Sequence, residues 1–165
     1  MNEKKQILNY FLIFGFVIYL AFLLWEFLFQ NVPPTELFHH EYTGTININP
    51  YANISTGDIL NQIILFIPLG LFLCILSRKQ NIITKIWAIF AISLFLEFLS
   101  LLFFADFDIT TVINNLIGGV VGIIIYKSLI IIFKDEEQIK GFVAILMNAI
   151  IIILAFALFF LSAFK

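Results

Sequence analysis

Glu97 is the residue of this sequence whose type and surroundings most strongly suggest chemistry. It lies in a long apolar segment that is rich in Leu and Phe. A carboxyl group is costly to bury in lipid, so within a membrane helix it must face protein or a water-filled cavity. Two interpretations remain open: Glu97 binds a ligand or handles protons, or it is a protonated structural residue. In the second case it would fix helix packing through hydrogen bonds to Ser93, Ser100 or Asn115.

Other polar residues lie near the same end of the neighbouring apolar segments. Ser93 and Ser100 are four residues before and three residues after Glu97, so the three side chains share one helix face. In the following segment, Asn115 is expected at about the depth of Glu97. If these faces converge, they form an acidic, amide-bearing cavity at this end of the helices. The polar residues that predict it are Glu26, Asp58, Asn61, Glu97, Ser100, Asp106, Asp108 and Asn115.

The remaining polar residues match no common metal-binding pattern. His39, His40 and Glu41 are adjacent in sequence, so their side chains do not share a helix face and the HExxH spacing is missing. Asp106 and Asp108 have the chemistry to bind a cation, but two acidic residues in a short loop are more typical of a solvated turn. We therefore predict no metal and no cofactor. The single cysteine excludes an intrachain disulfide.

The elements that position these residues are predicted to be transmembrane helices. Of the 165 residues, 62% are hydrophobic and only 12% are charged, which leaves too little polar surface for a soluble domain of this size. A formal net charge of −2 also argues against nucleic-acid binding. A helix needs about 20 apolar residues to span a membrane. Five segments meet this criterion: residues 7–29, 59–76, 86–104, 112–133 and 141–164.

The distribution of basic residues orients these helices through the positive-inside rule. All Lys and Arg residues except Lys165 lie before the first segment or around the second and fourth connections. We therefore predict an all-α integral membrane protein, a multi-pass protein of the cell membrane. It forms one domain (1–165), a bundle of five transmembrane helices with the N-terminus inside and the C-terminus outside. The loop of residues 30–57 and the polar end of the helices near Glu97 then lie outside.

Three pieces of the sequence resemble the VanZ-like family, which is named for a teicoplanin-resistance protein of Gram-positive bacteria. Asn47–Tyr51 (NINPY) is similar to the family segment Asn-Leu-x-Pro-Phe. Asp58–Gly70 (DILNQIILFIPLG) is close to the family run Asn-x-x-x-Phe-x-Pro-x-Gly. The third piece comprises Glu97, the pair Phe107-Asp108 and the run Asn115–Gly122 (NLIGGVVG). Within that run, Gly118 and Gly122 form a GxxxG pattern, which favours close approach of another helix.

The sequence also departs from the family pattern at three positions. Typical members have a Gln three residues after the membrane Glu, where this chain has Ser100. They have an Arg shortly afterwards, where this chain has Ala105 and Asp106. The Asp expected four residues before Asn115 is Thr111. These changes indicate either a different ligand or a lost activity.

The resemblance implies a role in susceptibility to lipoglycopeptide antibiotics such as teicoplanin, acting at the cell envelope. We expect an outward-facing polar pocket that engages an envelope lipid or a lipid-anchored glycopeptide, with Asn47 in a loop that covers it. The candidate ligand-binding residues are Glu97, Asn115, Asn61, Ser100, Asp108 and Asn47.

Two other functions remain open. The first is a membrane enzyme that acts on a lipid-linked headgroup such as a cell-wall intermediate, with Glu97 as general base and Asn115 as orienting group. The second is a non-catalytic membrane subunit that organises a partner through the Gly122 face and the fifth helix. The sequence does not decide whether the protein is an enzyme, and it leaves the oligomeric state open.

Overall fold

The computed structural model describes residues 2–29, 46–51, 55–103, 107–133, 135, 137–146 and 148–149. These residues form mainly α-helices, as the sequence predicts, together with two very short strands. The elements are α1 Asn2–Phe29, β1 Ile46–Asn47, α2 Thr56–Leu76, α3 Ile82–Phe103, β2 Phe107–Asp108, α4 Ile109–Phe133 and a helix α5 that is described from residue 137 onward.

Four of these helices are long and apolar enough to cross a membrane, so the chain is a multi-pass membrane protein. They correspond to the first four predicted spans, but each begins three to five residues earlier than predicted. At α2 the reason is a polar first turn. Ser55 is the N-cap, and its hydroxyl oxygen accepts a hydrogen bond from the backbone N–H of Asp58. A search for apolar residues alone does not detect such a turn.

The fifth predicted span, 141–164, lies mostly outside the described residues. Helix α5 is described at residues 137–146 and 148–149, so it begins before that span. The fifth crossing and the inside–outside orientation therefore stay predictions. The loop residues 30–45, which include His39, His40 and Glu41, and the segment 104–106, which includes Asp106, also lie outside the described residues.

The chain divides into two compact units, Met1–Phe22 with Ser128–Lys165 and Leu23–Lys127. In the described part of the first unit, Lys5 and Lys140 both pair with Glu137, at Nζ–Oε1 distances of 3.8 and 3.9 Å. The second unit contains the polar residues singled out in the sequence. Its apolar core includes Phe27 and Phe66, whose rings meet edge to face at a centroid distance of 6.1 Å.

Helices α2 and α4 contact each other backbone to backbone. A Cβ atom at Gly118 would lie 2.1 Å from the carbonyl oxygen of Ile63, and one at Gly122 would lie 2.1 Å from that of Ile67. On the other side of the contact, a Cβ atom at Gly70 would lie 1.9 Å from the carbonyl oxygen of Gly119. We call Gly70, Gly118, Gly119 and Gly122 the glycine seam. The GxxxG pattern thus packs against α2, and the two helices run parallel.

Helix α3 packs against another side of α4, in an antiparallel register. Gly119 faces Ile89, and the Asn115 side chain donates a hydrogen bond to Ser93. One turn further toward the start of α4, Thr111 interacts with Glu97. Each step of four residues along α4 is therefore matched by a step of four residues along α3. This register places Glu97 and Asn115 on the same helix–helix interface, one turn apart.

The two strands join the long loop to the start of α4. Ile46 pairs with Phe107 and Asn47 pairs with Asp108 in a two-stranded parallel sheet. Residues 46–51, here called the cover segment, are thereby attached to the end of α4 that carries the polar residues. The sequence predicts a loop over this end but gives no indication of parallel pairing.

Substitution of Gly122 by Ala should destabilise the protein, because the added methyl group would overlap the Ile67 carbonyl oxygen and force α2 and α4 apart. We expect a loss of about 1–3 kcal/mol in the free energy of unfolding. The matched control is Gly141→Ala, since a Cβ atom there has no neighbour within 4 Å. Thermal unfolding of the purified variants in detergent measures both effects. Equal melting temperatures for Gly122→Ala and the wild type would contradict the seam.

The orientation is testable with single-cysteine variants, because Cys74 is the only cysteine and is buried. In a Cys74→Ser background, Asn49→Cys in the cover segment and Lys79→Cys in the α2–α3 turn introduce exposed thiols. We expect a membrane-impermeant maleimide to label intact cells at position 49 but not at position 79. Permeabilised cells should be labelled at both positions. The reverse pattern in intact cells would mean that the predicted orientation is wrong.

Candidate functional site

Glu97 lies in α3 about 9 Å before the end of that helix, at 1.5 Å of rise per residue. The residue is buried, with 4% of its surface exposed. Its Oε2 atom accepts a hydrogen bond of 3.2 Å from the backbone N–H of Asp108, and its carboxyl group also interacts with the Thr111 hydroxyl. These partners differ from the Ser93, Ser100 and Asn115 contacts expected for a structural carboxyl group. The carboxyl group is therefore held by the start of α4.

Asp108 links β2, α4 and Glu97. Its Oδ1 atom accepts a hydrogen bond of 2.8 Å from the backbone N–H of Thr110, in the first turn of α4. An Asp side chain in this position satisfies a backbone donor that has no partner within the helix. Because the same residue donates its own N–H to Glu97, capping α4 also positions the donor for the carboxyl group.

Tyr51 attaches the cover segment to α4 through two hydrogen bonds. Its backbone N–H donates to Thr110 Oγ1 at 3.0 Å, and its hydroxyl donates to Asn114 Oδ1 at 3.2 Å. Tyr51 has a φ of 61°, a left-handed conformation that is unusual for a residue other than glycine. The two hydrogen bonds stabilise this conformation. The Tyr51 side chain thereby contacts a buried amide.

Gln62 of α2 connects Asn114 to Thr111. Asn114 Nδ2 donates to Gln62 Oε1 at 2.8 Å, and Gln62 Nε2 donates to Thr111 Oγ1 at 3.2 Å. Both bonds cross the α2–α4 contact, close to the glycine seam. Asn114 is fully buried and Thr111 nearly so. Without Gln62, two buried polar groups of α4 would lose a partner.

These contacts form a closed circuit of side chains and backbone groups. We call it the polar ring, and its members are Glu97, Asp108, Thr110, Tyr51, Asn114, Gln62 and Thr111. Within it, each amide accepts through its oxygen and donates through its nitrogen, so the bonds run in one direction from the Tyr51 hydroxyl. Thr111 accepts from Gln62 and retains its own O–H to donate to Glu97. The ring thus presents hydrogen-bond donors to the carboxyl group.

Asn115 lies one turn further into the α3–α4 interface and is fully buried. Its Nδ2 atom donates to the Ser93 hydroxyl oxygen at 2.9 Å. Its Oδ1 atom is buried and has no hydrogen-bond partner among the described residues. Buried polar atoms in proteins are nearly always hydrogen-bonded, so an unpartnered amide oxygen beside Glu97 indicates a position for an additional donor.

The structure brings together some of the predicted site residues and separates others. Glu97 and Asp108 are in the polar ring, and Asn115 lies beside it. Ser100 is buried, but its hydroxyl donates to the backbone oxygen of Phe27 at 3.5 Å. Asn47 pairs with Asp108 through β1, and its side chain accepts from the N–H of Asn49 at 3.1 Å. Asn61 is exposed and has no described hydrogen bond to the ring.

Sequence reasoning did not select Gln62 as a site residue, although a signal was present. Counted back from Phe66, the family run Asn-x-x-x-Phe places its Asn at position 62, where this chain has Gln. An amide inside an apolar helix also needs a hydrogen-bond partner, because an unpaired polar group is costly in lipid. Asn114 and Thr110 were visible as polar residues at the start of α4. Their pairing with Tyr51 depends on the path of the cover segment, which no spacing rule predicts.

Comparison with known proteins gives a consistent picture. A model of the VanZ/LLP1 family matches residues 16–134, a region that contains the whole polar ring and the glycine seam. Protein VanZ of Enterococcus faecium is 29% identical over 116 residues, which cover 66% of this chain and 69% of that protein. No solved structure matches the chain.

Adjacent amides in α2 provide a test of the polar ring. Gln62→Leu should remove the partners of Asn114 Nδ2 and Thr111 Oγ1, and we expect it to lower the free energy of unfolding by about 1–3 kcal/mol. Asn61→Leu, an equivalent change at an exposed position, should alter it by less than about 0.5 kcal/mol. Thermal unfolding in matched detergent measures the difference. If both variants unfold at the same temperature, the ring does not contribute to stability.

Proposed function

Because the chain belongs to the VanZ/LLP1 family, we propose that it is a cell-membrane protein that lowers susceptibility to teicoplanin. In this proposal the protein engages an envelope lipid or a lipoglycopeptide from the outer side of the membrane. The engaged region is the polar ring together with Asn115, at the end of the helices that the positive-inside rule assigns to the outside.

The observation that carries this proposal is the burial of Glu97 within a network of hydrogen bonds. A carboxyl group buried in a helix of an apolar protein costs several kcal/mol unless it is well paired, and hydrophobic residues pack more cheaply. Here α2, α4 and the cover segment all contribute groups to the hydrogen-bond circuit that includes Glu97. This arrangement supports a functional carboxyl group, since two helices can be held together with far fewer polar contacts.

The departures from the family pattern support an altered site over a lost one. Thr111 stands where typical members have Asp, yet it still contacts Glu97 and accepts from Gln62. An Asp at this position would bring a second carboxyl group against Glu97, whereas Thr supplies a donor. Ser100 stands where typical members have Gln and is directed to the Phe27 carbonyl instead. The changes therefore affect what surrounds the carboxyl group, which is buried in this chain.

The cover segment is well placed to control access to this region. It carries Asn47 and Tyr51, which attach to α4 at Asp108, Thr110 and Asn114. Asp108 in turn contacts Glu97 directly. A ligand that approaches from the loop side therefore meets the cover segment before it meets the carboxyl group.

Expression of the wild-type protein in a Gram-positive host should raise the minimal inhibitory concentration of teicoplanin more than that of vancomycin. Glu97→Gln should abolish this effect, because the amide removes an acceptor and introduces a donor facing the Asp108 N–H and the Thr111 hydroxyl. Susceptibility testing, with membrane levels matched by immunoblot, measures the change.

Glu3→Gln is the matched control, since Glu3 is exposed in the first turn of α1 and should tolerate the same change. Full protection by Glu97→Gln would show that the polar ring is not the functional site. If the wild type gives no protection, the antibiotic role is wrong for this chain. If the purified protein turns over a labelled lipid-linked intermediate and Glu97→Gln does not, the proposed function would change from binding to catalysis.

A further inference from the structure

We infer that the site binds a primary ammonium group, supplied by a lipid headgroup or by a lipoglycopeptide. This inference rests on the proposed function and names the chemistry of the ligand at the same site. It is carried by the hydrogen-bonding capacity that remains once the contacts of Glu97, Asn115 and their neighbours have been counted.

The first step is that a buried side-chain atom without a described hydrogen-bond partner at the α3–α4 interface, Asn115 Oδ1, is an acceptor. The Nδ2 group of Asn115 is engaged by Ser93, whereas its Oδ1 atom is buried without a described partner. The Gln62 amide uses both its nitrogen and its oxygen within the polar ring. A carboxylate has room for about four hydrogen bonds, and Glu97 receives one from the Asp108 N–H and interacts with the Thr111 hydroxyl. A group that completes this site must therefore donate hydrogen bonds.

The second step concerns charge. The ion pairs of Lys5 and Lys140 with Glu137 lie in the other compact unit. Asp108, whose backbone N–H donates to Glu97, instead brings a second acidic group of the same sign close to the Glu97 carboxyl group. A buried carboxylate with a second one nearby favours a cationic partner. The missing donor is thus expected to carry positive charge.

The third step is geometric. Glu97 and Asn115 lie one turn apart along the interface, because Thr111 pairs with Glu97 and Asn115 pairs with Ser93. One helical turn is about 5.4 Å, so the rise between the two residues is less than twice an ordinary hydrogen-bond distance. The Ser93 hydroxyl, fully buried beside Asn115, offers a third acceptor. A primary ammonium has three N–H donors, which matches this set.

The acceptor set suits an ammonium better than a metal ion. A hard cation such as Ca²⁺ takes six to eight oxygen ligands. The described residues contain no group of three or more His, Cys, Asp or Glu side chains that could hold a metal. One oxygen of Asp108, the nearest second carboxylate, is already engaged by the Thr110 N–H. A quaternary ammonium is also unsuited, because it has no N–H to satisfy the Asn115 oxygen.

The test is a methylation series with purified full-length protein in detergent. Phosphatidylethanolamine and its N-methyl, N,N-dimethyl and N,N,N-trimethyl analogues share one acyl composition and lose one N–H at each step. We expect the wild-type Kd to rise along the series, by about tenfold or more between ethanolamine and choline headgroups. In a parallel arm, teicoplanin should bind more tightly than N-acetylated teicoplanin, in which the amine is blocked. Discrimination in one arm alone identifies the source of the ammonium and supports the inference.

Glu97→Gln and Asn115→Leu should each bring the ratio of the choline Kd to the ethanolamine Kd close to one. Glu3→Gln should keep the wild-type ratio. Thermal unfolding shows whether each variant is folded. If Asn115→Leu does not fold, Glu97→Gln alone provides the test. Equal Kd values along the series in both arms would overturn the inference, as would discrimination that persists in both site variants. If the protein protects against teicoplanin but binds amine and blocked-amine ligands equally, only the inference of an ammonium ligand is refuted. Discrimination without protection would refute only the antibiotic role.

Discussion

The backbone contact between α2 and α4 is the constraint on which the rest of the site depends. The glycine seam lets the carbonyl oxygens of Ile63 and Ile67 reach the α4 backbone surface, where the side chain of a larger residue would otherwise lie. Only at this separation can Gln62, a side chain of modest length, bond to both Asn114 and Thr111. Small residues at one helix interface therefore allow polar residues one or two turns away to find partners. In lipid, where water cannot supply those partners, the seam and the polar ring must be retained together.

Helix α4 organises the site because it contributes from two sides at once. One side, with Asn114, Gly118 and Gly122, packs against α2, and the other, with Thr111 and Asn115, faces α3. Its N-terminal cap then adds Asp108, so the carboxyl group on α3 is held partly by a side chain and partly by backbone. Rotation of α4 about its axis would disrupt both interfaces together. This coupling explains how one helix can fix the position of a carboxyl group that belongs to its neighbour.

Much of this fold follows from the sequence, because lipid imposes simple rules. Apolar length gives the four described spans, and the GxxxG spacing gives the close contact of α4, though not its partner α2. The burial of Glu97 and its common level with the start of α4 also follow from helical rise. The partners of Glu97 do not, because they depend on the rotation of each helix and on a backbone N–H that is present at every residue. Gln62 was missed for a related reason: its role depends on which faces of α2 and α4 meet, and the spacing of apolar residues does not predict that.

The parallel pairing of β1 with β2 has a consequence for the order in which the protein is assembled. Tyr51 bonds to residues 59 and 63 positions further along the chain. Contacts of such long range form only after the intervening chain has been made, and synthesis proceeds from the N-terminus. The cover segment is therefore synthesised well before its partners, and Glu97 precedes the Asp108 N–H that will hold it. The polar end of the bundle closes only when α4 has been made and joins α2 and α3, which precede it in the chain.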